Sequence, residues 1–114
     1  MRKLLVVGVM SILIILNSSL LLTAGEWYQG GTLHKATVSG WNKASYSDKL
    51  ATAADWDTTI PKIRNKVQSS GDMNTLRPYA SELVQCVDKA ASGMGYSNQG
   101  AAELAAGCQI LMGW

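Results

Sequence analysis

The chain has 114 residues, 10 Lys plus Arg against 8 Asp plus Glu, and no phenylalanine. Arg2 and Lys3 are two of the basic residues and all 8 acids lie beyond residue 25, so the chain after that point carries no net formal charge. That balance lacks the positive footprint of a nucleic-acid binder and supplies no polybasic membrane patch, and the length supports one small domain.

Residues 1–25, MRKLLVVGVMSILIILNSSLLLTAG, have a basic start, an apolar centre and a small-residue exit. These are the parts of a secretory signal peptide, with cleavage expected after Gly25 or Ala24. The alternative is an uncleaved anchor, because residues 4–24 just reach the roughly 20 apolar residues of a spanning helix. A membrane contact is expected only in that case. Export places the mature domain, residues 26–114, in the periplasm or outside the cell.

Residues 26–39 form an irregular arm with Gly30-Gly31 and no helical period, with room for one extended piece between Thr32 and Val38. The first helix is expected over about 40–58. Ser39 is its candidate N-cap, Tyr46, Leu50, Ala53, Ala54 and Trp56 lie near one face, and a break is placed near Ser45–Ser47. Pro61 opens a second, short helix, about 61–69, at the first position that proline tolerates. A third helix covers about 75–91, with Asn74 as candidate cap and Leu76, Ala80, Leu83, Val87 and Ala90 as its stripe. The fourth covers about 99–112, capped by Ser97 or Asn98, with Ala101, Leu104, Cys108 and Leu111 sharing a face. Gly107 weakens that helix and is expected to admit a close neighbour. The fold class is therefore all-α, of three to four short helices.

Cys86 and Cys108 stand equidistant from residue 97, inside the turn expected between the last two helices. In an antiparallel hairpin such residues face each other, and export favours oxidation. A structural disulfide is expected, with a Cα separation of about 5.5 Å. A redox pair lacks its Cys-x-x-Cys spacing. A zinc site lacks ligands, since two cysteines and His34 fall short of about four. No metal or cofactor is expected.

His34, the one histidine, is read as a solvated or capping residue and a candidate pH sensor. No nucleophile motif accompanies it, so no catalytic residue is assigned and no enzyme is expected. Asp55 and Asp57 flank Trp56 about 200° apart on a helix and are read as a solvated face. Lys62, Arg64 and Lys66 are read the same way. Trp41 and Trp56 are assigned to the core. Trp27, Tyr28 and Trp114 are the candidate partner contacts, with packing on the domain itself as the plainer reading.

The stretches GGTLHKATVSGWNKASYSDKLATAADW and LRPYASELVQCVDKAA…AAELAAGCQILMGW resemble small exported bacterial proteins of uncharacterised function. The chain is also similar, more faintly, to HdeA-type periplasmic acid-stress chaperones, short exported helical proteins with one interhelical disulfide. Here the cysteines stand closer together and bracket a single hairpin. The resemblance implies a non-enzymatic binding or stress-protection role, in which acid would loosen the chain and expose apolar surface for clients. The alternative is a partner-specific envelope protein, such as an inhibitor, an immunity or exclusion factor, or an assembly subunit. Its sign would be a fixed apolar patch near Trp27 or Trp114 at neutral pH.

Overall fold

A computed structural model describes residues 25–93 and 98–114. The expected signal segment, apart from Gly25, and the candidate cap Ser97 lie outside the described residues. Five α-helices follow the arm: α1 (Val38–Lys43), α2 (Tyr46–Asp57), α3 (Pro61–Ser70), α4 (Arg77–Ser92) and α5 (Ala101–Leu111). One 3₁₀ turn, Met73–Leu76, leads into α4. The expected break falls at Ala44–Ser45 and divides the first helix into α1 and α2. There Ser45 is extended and its hydroxyl caps α2 by accepting from the Asp48 amide. Thr37 rather than Ser39 caps α1, accepting from the Gly40 amide.

Pro61 begins α3 as expected, and Gly71 ends it in the left-handed region (φ +66°), where an L side chain is strained. Asn74 does not cap α4. Asp72 caps the 3₁₀ turn by accepting from the Asn74 amide, and the Asn74 side chain instead accepts the Trp27 indole N–H at 3.1 Å.

Helix α4 is the centre of the molecule. Its Ala80, Leu83, Val84, Val87 and Ala91 are buried with Leu76 of the preceding turn, at the four- and three-residue steps that keep one helix face inward. Ala91 takes the place expected for Ala90, which is only half-buried at the edge of that face. Opposite them lie Leu50, Ala53 and Ala54 of α2 and Trp41 of α1, with Trp41 fully buried and stacked on the half-buried Trp56 at 5.8 Å. Asp88 ties the three helices together. It accepts the Trp41 indole N–H at 2.8 Å and the Lys49 ammonium at 3.0 Å. Charge-assisted bonds of this kind, partly shielded from water, exceed neutral ones in strength.

The arm packs on α2. The Leu33 amide donates to the buried Thr52 hydroxyl at 3.2 Å, and Asp48 accepts from both the amide and the hydroxyl of Thr32. Extended backbone does occur in the arm, as a single bridge between Thr37 and Gly100. It is flanked by bonds from the Val38 amide to the Gln99 carbonyl and from the Ala101 amide to the Ala36 carbonyl.

Gly31 is required by this packing. A Cβ there would lie 2.5 Å from the Thr52 amide nitrogen and 2.8 Å from its Cα, closer than atoms approach without backbone movement. Gly31→Ala is therefore expected to lift the arm and to destabilise the fold by about 1–3 kcal/mol, as overpacking does. Thermal unfolding, with hydrogen exchange at the Leu33 amide, measures both effects.

Candidate functional site

Helix α5 forms from an alanine-rich stretch of high helix propensity, with Glu103 favourably placed in its first turn. It has no side-chain cap. It lies antiparallel to α4: Cys86 is bonded to Cys108, and Tyr79 meets Trp114 edge-to-face at 5.3 Å, two pairs that both centre near residue 97. The Cα atoms of Cys86 and Cys108 are 6.0 Å apart, so the expected staple is present, and it marks an oxidising compartment.

The buried face of α5 differs from the expected one. Ala101, Ala105 and Cys108 are buried, Leu104 is half-buried, and Leu111 is 84% exposed beside Ile110 at 78%. The physical reason is size. Alanines let α5 sit close on α4, Leu104 packs at the edge of the core, and Leu111 turns outward. Gly107 is exposed, and a Cβ built on it would meet nothing within 4 Å. No neighbour within the described residues uses the approach that glycine permits.

The result is a helix with apolar side chains on its outer as well as its inner face, and one charged residue, Glu103. Beside it runs a groove of about 400 Å³, floored by Cys86 and Cys108 and walled by Ala90, Leu104, Ile110 and Leu111. A second hollow of about 350 Å³ adjoins it at Cys86, bordered by Glu82, Lys89 and Met112. A helix apolar all round ordinarily has cover on both faces.

The other candidate residues are engaged within the chain. Trp27, Tyr28 and Trp114 are half-buried and packed on the core. Trp27 also lies under the Arg77 guanidinium at 5.3 Å and edge-on to Tyr28 at 5.4 Å. His34 is at the surface, its Nε2 2.8 Å from an Asp55 carboxylate oxygen, with both side chains about half exposed. Sequence spacing gave no sign of this pairing, because 21 residues separate the two. A pair so open to water contributes at most about 1 kcal/mol. Lys62, Arg64 and Lys66 are exposed as expected, with Lys66 over the Tyr79 ring at 5.8 Å.

Asp57 corrects the solvated-face reading. Asp55 and Asp57 do point apart, but Asp57 points inward and is fully buried. One carboxylate oxygen accepts from the Gln109 side-chain amide of α5 at 3.0 Å, and the other has no partner among the described residues. Burial raises the Asp57 pKa from 3.8 to about 6, with the Gln109 hydrogen bond opposing the shift and the charge of Glu82 adding to it. The signal was present in the sequence. Positions 50, 53, 54 and 57 follow the i, i+3, i+4, i+7 pattern of a buried face, and Asp57 occupies its last place.

No family model, curated protein or solved structure matches this chain.

The raised pKa fixes a sign. The folded state binds the Asp57 proton more tightly than the unfolded chain, so this group's contribution to stability is fully present below about pH 4 and is lost as pH rises through about 6. Asp57→Asn is expected to stabilise the protein at pH 7.5, by on the order of 1–2 kcal/mol once an unpartnered amide is allowed for, and by little at pH 4. Thermal melts of both proteins across this range measure it. They are made in the His34→Ala background, which removes the chain's one histidine from the same window. Breaking the Cys86–Cys108 bond is expected to cost about 3 kcal/mol, and Cys86→Ser/Cys108→Ser should lose protection from exchange in α5 before α2.

Proposed function

We propose that this chain is a small exported, non-enzymatic binding protein of the cell envelope, most simply a periplasmic one. It acts as a partner-specific module whose docking element is the outer face of α5. The observation that carries the reading is the exposure of Ile110 and Leu111 beside an apolar groove. Contiguous apolar surface on a small domain marks a contact site more often than scattered apolar residues do.

The occupant the groove suits is an apolar helix of another protein. The surface is lined from two antiparallel helices, α4 and α5, and Gly107 leaves room for close backbone approach. The rim charges, Glu82, Lys89 and Glu103, are of mixed sign and select no polyanion. The acid-stress reading has weaker support. Protonating Asp57, the group whose titration burial displaces, strengthens the fold on the way down from neutral pH instead of loosening it.

A photoreactive amino acid in place of Leu111 tests the docking reading in intact cells. The expected outcome is one discrete adduct with a different protein, lost when Ile110→Glu is added and unaffected by Lys62→Glu on α3, which does not line the groove. An adduct of twice the chain's own mass would make the occupant a second copy. A smear that survives Ile110→Glu would remove the reading.

A further inference from the structure

We propose that Asp57 and Gln109 form a proton-operated latch, which sets how firmly residues 109–114, the end of α5 and the three residues after it, are held against α2. The geometry carries the inference. Asp57 is the last residue of α2 and Gln109 lies one residue beyond the cross-linked Cys108, so their hydrogen bond spans two helices at the point where the covalent hold on α5 ends. The Gln109 carbonyl in turn accepts from the Trp114 amide at 3.1 Å, which links the latch to the end of the chain.

The carboxyl is short of partners in a way a proton remedies. Its second oxygen is buried and has no partner among the described residues, and neither ion pair found among them includes it. The two groups that act on it, Gln109 and Glu82, supply no positive charge, and the cations of the following helix, Lys62, Arg64 and Lys66 of α3, are exposed. From α4 the facing charge is Glu82, which is negative. From α5 the facing group is the neutral Gln109, and α5 has no charged residue other than Glu103, six positions away. Within α2 the neighbouring acid, Asp55, is turned outward to His34. The C-terminal end of α2 also presents its own carbonyl dipoles to Asp57, which repel a negative charge.

With a proton on the second oxygen, the first still accepts from Gln109 as a carbonyl oxygen, the bond across the helices persists and the buried group is neutral. Without the proton the bond to Gln109 gains strength, but the larger effect is the desolvated charge beside Glu82, which gains by admitting water between α2 and residue 109. The disulfide one residue earlier confines the motion to the last turn. That turn holds Ile110 and Leu111, so the latch would also set the presentation of the docking face. This consequence rests on the function proposed above, and the latch itself does not.

Hydrogen exchange of the full chain in the His34→Ala background, corrected for the intrinsic effect of pH, tests the latch with no partner present. The expected result is about tenfold less protection of residues 109–114 at pH 7.5 than at pH 5, a larger loss than α2 and α4 show, and disappearance of that excess in Asp57→Asn. Should the variant not fold, the carbon resonance of the Asp57 carboxyl in the unaltered side chain answers the same question. A titration midpoint near that of an ordinary aspartate, or equal protection of residues 109–114 at both pH values, overturns the latch. Neither result bears on whether a partner docks, which the Leu111 cross-link reads separately.

Discussion

Helix α5 buries three small side chains, Ala101, Ala105 and Cys108, and the Cys86–Cys108 bond is what holds so little burial in place. Apolar area removed from water stabilises at roughly 25 cal/mol per Å², and alanines offer little of it. A helix seated on such a face would be expected to fray. The cross-link removes that freedom from the unfolded chain instead of adding contacts to the folded one. It also releases the larger residues of α5 from any duty in the core. Ile110 and Leu111 can face outward because Cys108 fixes the helix without them.

The rest of the body is built around α4, which works on two sides. One side carries the apolar stripe that receives α1 and α2, with Asp88 binding Trp41 and Lys49 into place. The other carries Cys86 and Ala90 toward α5. The arm closes the first side through Thr52 and Gly31, and touches the start of α5 through the Thr37–Gly100 bridge. The two ends of α5 are therefore held differently, the start by backbone bonds from the arm and the end by the disulfide and the Asp57–Gln109 pair. The second of these is the one that responds to a proton.

Periodicity made much of this legible. The all-α class, the stop at Pro61, the break near Ser45 and the pairing of the cysteines all follow from spacing, because local geometry and loop symmetry determine them. The facing of α5 did not follow. In a helix where nearly every residue is apolar, no stripe stands out, and tertiary contact decides which side is buried. Spacing puts Leu104 and Leu111 on one face with Ala101 and Cys108, but Ala105 takes the buried place, Leu104 stays at the edge of the core and Leu111 faces out. Asp57 was misjudged for a different reason. It sits on the buried face by spacing, but the angle of about 200° between Asp55 and Asp57 excludes only a shared ligand and does not say which of the two turns inward. The His34–Asp55 pair was beyond reach of any local pattern, since it depends on how the arm folds over α2.

The oxidised pair belongs to the fold, and the proposed export is what would permit it. Intact mass of the protein recovered from the cell envelope, with alkylation before and after reduction, tests them together. The account predicts a chain lacking residues 1–25 or 1–24 whose two cysteines are alkylated only after reduction. A full-length chain with two reactive thiols would contradict it, because α5 would then lack the bond that lets its apolar face turn outward.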